Sequence, residues 1–334
     1  MPNISDIAEK ANVSSALVSR VINNKPGVSR ENREKILAVM RECNYLPNSL
    51  ARSLATKATH AIGVVMDDLC DSFFFQLIKG MQDTADAMRY NVLFCSGRSE
   101  ETVKMQYVDF LTKGLTDGII AYGSSKQNEE MFRQLSNRSY SFVLIEGDIP
   151  DQKINNVLLD NFKGAYAATE HLIERGYRHI CHFSGDMNRK VSFDRLNGFV
   201  KAMNDHMIPI EQPGILYTDF SEESGYAQMK KLIESGGEIP EAIFFGADKP
   251  AYGAIQAMYE ANLKTPDDVA LIGFDDDRPE TYPIVYPALS TVRQPLYDMG
   301  AESVRLLVKA IKNPGMPCEV KTFTPELILR DTCR

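Results

Sequence analysis

Residues 3–23 read NISDIAEKANVSSALVSRVIN, and this stretch decides what the first part of the chain builds. Asn3 suits a helix N-cap, with Asp6 at the third helical position as a shorter analogue of the capping-box acid. Ile4, Ile7, Ala8 and Ala11 recur at helical spacing, and Asn12 suits a left-handed turn residue. Ser14 caps a second helix carrying Leu17, Val18, Val21 and Ile22. Two short helices, Ile4–Ala11 and Ser14–Asn23, joined by a tight turn fit a helix-turn-helix. In that motif the first helix braces the second, which enters the DNA major groove. Ser14, Ser15, Ala16 and Ser19 are small and polar enough to approach backbone and base edges. Arg20 has the reach for a bidentate contact with guanine. The plainer alternative is a three-helix cap with a solvated polar face.

Asn23 to Gly27 then forms a loop around Pro26. Ser29 opens a third helix with Ile36, Leu37, Met40 and Cys43 on one face, and Asn44 is placed to end it. Pro47 disfavours helix at Leu46, so residues 45–48 read as an extended connector. Asn48 to Lys57 holds helix formers behind an Asn cap, yet is too short to be a stable helix alone. It reads either as a plain interdomain linker or as a segment that orders on binding. In the second case Leu54 is exposed and suits an apolar wedge in a minor groove.

From residue 61 the texture changes. Short apolar runs, Ala61–Met66, Val92–Ser96, Gly118–Tyr122, Phe142–Glu146, Ile180–Ser184, Ala242–Gly246 and Val269–Phe274, alternate with amphipathic stretches. In one stretch Phe74, Ile78, Met81, Ala85 and Met88 follow a helical period. Such alternation predicts parallel sheets covered by helices, an α/β class. It occurs twice, opening at Ile62 and again at Ile180, so two similar lobes flank a cleft. Ligands in open α/β sheets bind beyond the strand carboxyl ends, which directs attention to the polar residues after each apolar run.

Length, composition and charge exclude several classes. The 334 residues are 44% apolar and 25% charged, as in folded proteins of about two domains. Residues 1–60 carry nine Lys/Arg and five Asp/Glu, a net +4, against a whole-chain charge of −8. A basic head on an acidic body is the pattern of a nucleic-acid-binding module on a separate domain. No apolar run is long enough to cross a bilayer, and the first residues lack a signal-peptide layout, so a cytoplasmic location is expected. The six cysteines are scattered without C-x-x-C spacing and read as buried reduced thiols. No G-x-S-x-G elbow, Walker loop or G-x-G-x-x-G is present, so neither an enzyme nor a cofactor is expected. His179 and His182 would point to opposite faces of a strand, and no metal site is assigned to them.

The residues Ile7-Ala8, Val13-Ser14 and Val18-Ser19-Arg20-Val21 resemble the head of the lac-repressor/purine-repressor (LacI/GalR) family. Tyr45-Leu46-Pro47-Asn48 and Ala51-Arg52-Ser53-Leu54 resemble its hinge. Downstream, Asp160-Asn161, Ser184-Gly185, Arg195-Leu196-Asn197-Gly198-Phe199, Ile272-Gly273-Phe274-Asp275 and Gln294-Pro295 follow in family order. The resemblance runs from about residue 3 to residue 330. It implies a homodimeric repressor whose heads read a pseudo-palindromic operator. It also implies a two-lobed, periplasmic-binding-protein-like body that senses a small molecule, and hinge leucines that kink the DNA. By position, Ser15, Ala16 and Arg20 match base-reading sites, and Asn48, Ala51 and Leu54 lie in the hinge that enters the minor groove. Phe73, Phe74, Arg195, Phe220 and Asp275 match the effector cleft.

Leu17 stands where the family usually has Thr, which removes one usual helix-to-phosphate contact; Ala247 replaces a usual amide and Asp71-Ser72-Phe73-Phe74 stands for an Asp-Asn-Pro-Phe-Phe kind of segment, so the effector class transfers weakly. The side chains themselves suit a sugar: Arg195 and Asp275 can hold vicinal hydroxyls, and Phe73, Phe74 and Phe220 offer flat apolar faces. Core packing for the aromatics, and a structural ion pair for Arg195 with Asp275, are the alternatives. Asp276 and Asp277 read as an acidic loop. The expected division is a head over 1–47, a hinge over 48–60, a first lobe of 61–160 with 291–318, and a second lobe of 161–290 with 319–334. The function expected is an allosteric transcriptional repressor sensing a sugar-like molecule. One rival is a regulator controlled by a phosphorylated carrier protein, to which Pro295–Gly300 bears some likeness. A sugar-transport receptor and an α/β enzyme are more distant rivals.

Overall fold

A computed structural model describes residues 2–23, 25–45, 58–97, 100–123, 129–137, 140–147, 149, 153–277 and 287–333. The expected hinge positions Asn48, Ala51 and Leu54 lie outside the described residues. The chain divides into two compact units, Met1–Thr59 and His60–Arg334.

In the first unit, α1 (Ile4–Lys10) begins with a full capping box: the Asn3 side chain accepts from the Asp6 amide, and the Asp6 carboxylate accepts from the Asn3 amide at 2.8 Å. Ser14 caps α2 (Ser15–Ile22) and Ser29 caps α3 (Arg30–Glu42). Asn12 and Asn44 take left-handed backbone angles, φ 50° and 48°, and so end α1 and α3 as their sequence positions indicate. Ile7, Ala8, Ala11, Val18, Val21 and Ile36 form the core that fixes α1 against α2.

The second unit runs in chain order through β1 (Ala61–Met66), α4 (Phe75–Ala87), β2 (Asn91–Ser96), α5 (Glu101–Thr112), β3 (Gly118–Tyr122), α6 (Glu129–Asn137), β4 (Phe142–Ile145) and β5 (Asn155–Leu159). Next come α7 (Asn161–Glu174), β6 (Ile180–Ser184), α8 (Lys190–Asp205), β7 (Ile215–Tyr217), α9 (Glu222–Glu234), β8 (Ala242–Phe245), α10 (Asp248–Glu260) and β9 (Ala270–Asp275). It closes with β10 (Ser290–Arg293), α11 (Leu296–Lys312), β11 (Val320–Phe323) and β12 (Glu326–Ile328). Among the described residues two six-stranded sheets result, ordered β11-β5-β4-β3-β1-β2 and β12-β10-β9-β8-β6-β7. Every pairing is parallel except β12 against β10. Strands buried on both faces, such as β1, β3 and β8, read as unbroken apolar runs because helices cover each side.

The exchange points between lobes correct the expected division. Residues 290–293 pair with β9, Ser290 opposite Ile272 and Arg293 opposite Asp275, so β10 belongs to the second sheet and not the first. Residues 320–323 pair with β5, so β11 belongs to the first sheet and not the second. The chain therefore crosses between lobes near Asp160, at Gln294-Pro295 and at Thr324-Pro325. The cysteines also differ from expectation: Cys181 and Cys333 are buried, but Cys70 and Cys318 are exposed.

Helix pairs approach closely at glycine. In the first lobe a Cβ on Gly80 of α4 would lie 2.0 Å from the Tyr297 carbonyl oxygen of α11, and one on Gly300 would lie 2.1 Å from the Leu77 carbonyl oxygen. Backbone meets backbone on both sides, so neither helix yields without repacking β3 to β5 beneath α11. Gly80→Ala is expected to lower stability by about 1–3 kcal/mol, the usual cost of overpacking. The urea unfolding midpoint measures it, and an unchanged midpoint would show that the helices separate freely.

Candidate effector cleft and DNA-reading face

On the head, Ser14, Ser15, Ala16 and Arg20 are exposed and Ser19 is half-buried, while Val18 and Val21 face the core. The five head residues expected to meet DNA therefore lie on α2 or its cap, with four exposed. The Asn23 side-chain amide donates to the Ser19 carbonyl at 2.8 Å, which finishes the helix beside Arg20. Leu17, the departure from the family pattern, is half-buried against the head core.

In the body a cavity of about 240 Å³ opens between the lobes. Phe73, Phe74, Arg195, Phe220 and Asp275 all line it, so the five expected effector residues converge on one place. From the first lobe, the carboxyl end of β1 delivers Asp67 and a single 3-10 turn, Ser72–Phe74, delivers the aromatics. Asp71 caps that turn by accepting from the Phe73 amide at 3.0 Å. Phe74 is buried and packs edge-on to Tyr122, with ring centroids 4.9 Å apart; Phe73 is only partly buried. Phe74 thus serves the core and the cavity wall together.

From the second lobe, α8 delivers Arg195 and the β9 carboxyl end delivers Asp275. Arg195 is 5% exposed. Its Nε donates to Asn161 Oδ1 at 2.9 Å, its Nη1 donates to the Gly246 carbonyl, and its Cζ lies 3.7 Å from the Phe274 ring centroid. Its distance to Asp275 is 3.4 Å, long for a charge-assisted bond, whereas Gln294 donates to the same Asp275 oxygen at 2.6 Å. The ion pair weighed from sequence exists, and both members still face the cavity. Asp275, Asp276 and Phe220 have φ of 117°, 57° and 70°, so left-handed backbone gathers at this rim.

Sequence reasoning missed Asp67, Asp68, Asp71, Tyr122, Arg189, Lys249 and Asp277, which also line the cavity. Asp67 was findable, since it follows an apolar run as Asp275 does. Asp277, read as a loop acid, belongs to the cavity wall, because its backbone amide is tied to Asp248 at 2.8 Å. Among the described residues three polar links bridge the lobes here: Lys249 to Asp71 at 2.6 Å, Ser72 Oγ donating to Asp277 at 2.9 Å, and Arg189 to Asp67 at 3.7 Å. Beneath them Lys104, buried, pairs with Asp67. Among the described residues no group of three or more His, Cys, Asp or Glu is placed to hold a metal ion. No helix among them is long and apolar enough to cross a membrane.

A helix-turn-helix head joined to a two-lobed cleft defines a ligand-responsive DNA-binding regulator. Residues 3–48 match the family model for bacterial regulatory proteins of the lacI family, and residues 169–333 match a periplasmic binding protein-like domain. The chain is 32% identical to the HTH-type transcriptional regulator RegA of Clostridium saccharobutylicum, over 99% of this chain and 98% of that protein. It is 33% identical to catabolite control protein A of Priestia megaterium, over 92% and 91%. The lac repressor dimer bound to operator and the anti-inducer ONPF superposes with a TM-score of 0.87 at 27% identity, covering 99% of this chain and 98% of that one. The chain belongs to the lacI family of transcriptional regulators.

Burial pushes the Asp275 carboxyl up to about 7, with Asp277 and Asp71 adding to the rise and Arg195 and Gln294 opposing it. The folded state therefore holds this proton more tightly than the unfolded chain. The contribution of this carboxyl to stability is fully present below about pH 4 and is lost as pH rises to about 7. An Asp275→Asn protein lacks this component. Relative to wild type, its Tm should rise between about pH 4 and about pH 7 and level off above that. A difference in Tm that stays constant across that range would contradict the assignment.

Proposed function

We propose that this regulator is a cytoplasmic homodimeric repressor whose paired heads read a pseudo-palindromic operator and whose cleft answers to a sugar-like small molecule. The observation that carries the reading is the convergence of Phe73, Phe74, Arg195, Phe220 and Asp275 on one interlobe cavity. Aromatic faces cover the apolar face of a sugar ring, while Arg195 donates to and Asp275 accepts from its hydroxyls. On the head, Ser14, Ser15, Ala16, Ser19 and Arg20 make the major-groove contacts. The hinge residues Asn48, Ala51 and Leu54 make the minor-groove contacts, with Leu54 as the wedge between base steps.

Phosphate contacts supply affinity that falls steeply with salt, and base contacts supply sequence choice. The effector acts by binding one arrangement of the body more tightly than the other. Control by a phosphorylated carrier protein is the second reading, supported by the 33% identity to catabolite control protein A. The two separate on whether a metabolite alone, with no added protein, changes operator affinity.

Arg20→Ala is expected to weaken cognate operator binding by about 1–3 kcal/mol and to relax preference at one base position per half-site. Equilibrium binding to cognate and scrambled duplexes measures both. An equal loss on the two duplexes would make Arg20 a phosphate contact.

A further inference from the structure

Two neighbouring residues of the first lobe meet two anchored residues of the second, side chain to side chain. Lys249 Nζ donates to Asp71 Oδ1 at 2.6 Å, and Ser72 Oγ donates to Asp277 Oδ1 at 2.9 Å. On the first-lobe side the footing is the 3-10 turn Ser72–Phe74, where the same Asp71 oxygen accepts from the Phe73 amide at 3.0 Å. On the second-lobe side the footing is Asp248, 1% exposed in the first turn of α10 and next in sequence to Lys249. Its Oδ2 accepts from the Asp277 amide at 2.8 Å and its Oδ1 from Thr291 Oγ1 at 2.6 Å. Gly273 leaves room for this, since a Cβ there would lie 2.0 Å from Asp248 Oδ1. The contacts therefore close a ring: from Asp71 to Ser72, across to Asp277, through Asp248 to Lys249, and back across to Asp71. A third contact, Arg189 to Asp67, is looser at 3.7 Å, and the buried Lys104 holds the other Asp67 oxygen.

We propose that this ring is a built-in latch that draws the two lobes together through the protein's own side chains, with no ligand needed to bridge them. Two crossings from adjacent residues act as a two-point attachment: once one forms, the other closes at high effective concentration. Two points also resist the lobes turning about a single contact. A fully exposed ion pair contributes little. Here Asp71 and Lys249 are each only 31% exposed, and both acceptors lie on segments already pinned through the Phe73 and Asp277 amides, so less freedom is lost on closing. The latch shares the turn that carries Phe73 and Phe74, so releasing it frees the aromatic wall of the cavity. A molecule entering the cavity must fit behind the closed latch or exchange with it. The latch thus sets the differential affinity that any effector has to exceed before the lobes part.

The test uses full-length protein with no ligand added. Lys249→Met keeps the stem and removes the charge, Ser72→Ala removes the hydroxyl, and Lys249→Arg restores a donor. Small-angle X-ray scattering reads the separation of the lobes. Amide hydrogen exchange reads the protection of residues 67–74 and 246–249 against that of β3 and β8. In the Lys249→Met, Ser72→Ala double variant the radius of gyration should grow and the cleft amides should exchange at least about tenfold faster, with β3 and β8 unchanged. Lys249→Arg with Ser72 intact should behave as wild type. Added salt should loosen wild type more than Lys249→Met, because the ion pair is the screened half of the latch. Should the double variant fail to fold, Asp71→Asn is read in the same way; it keeps an oxygen for the Phe73 amide and loses the charge. Unchanged scattering and exchange would overturn the latch. So would an acceleration equal in the cleft, β3 and β8, which marks general destabilisation. No outcome depends on the identity of the effector, so the sugar reading stands or falls separately.

Discussion

One buried guanidinium ties together the second lobe's wall of the cleft. Arg195 reaches Asn161 beside the first crossover between lobes, the Gly246 carbonyl where β8 passes into α10, and Asp275 at the end of β9, with its Cζ over the Phe274 ring. Four segments far apart in sequence therefore meet at one side chain. Leaving a buried charge without partners costs about 3–5 kcal/mol, so these segments stay in register only while the guanidinium is satisfied. Gln294 adds the second crossover to the same network through Asp275. Arg195 and Asp275, which line the cavity, are thus tied to the segments beside two of the crossovers.

This arrangement gives a physical route from ligand to lobe geometry. Lys249 with Asp71, Arg189 with Asp67, and Ser72 with Asp277 span the two lobes across the cavity mouth. A ligand that competes for those carboxylates changes the balance between lobe arrangements. It can do so only by the difference in its affinity for them. Partly exposed pairs of this kind are individually weak, which suits contacts that must exchange partners.

Much of this was legible in the sequence, and the reasons are specific. Helix caps are local chemistry, so Asn3 with Asp6, Ser14, Ser29, Asn12 and Asn44 announced the head. Strands buried on both faces announced themselves as apolar runs. Strands that are not were silent: β11 reads Val-Lys-Thr-Phe with three exposed residues, and β7 is an edge of only three residues. β5 begins with two asparagines, which resembles a loop, although Asn156 is buried and donates to the Gly147 carbonyl at 2.6 Å. Missing β10 and β11 displaced the expected lobe exchanges. In the cleft, Arg195 and Asp275 were readable from family position and strand ends. Arg189 and Lys249 had no such signal, because their roles arise from partners on the other lobe more than a hundred residues away.

The central claim is that the cleft and the head of one chain share a coupled equilibrium. Its most direct measurement is the affinity of an identified cleft ligand for the full-length protein, taken with and without saturating operator. Linkage requires the two sites to change each other's affinity by the same factor, about 5–150-fold for couplings of ordinary size. The ligand's Kd is expected to shift when operator is present, by the factor with which the ligand shifts the operator's Kd. A ligand that binds in the cleft with the same Kd whether or not operator is present would contradict it.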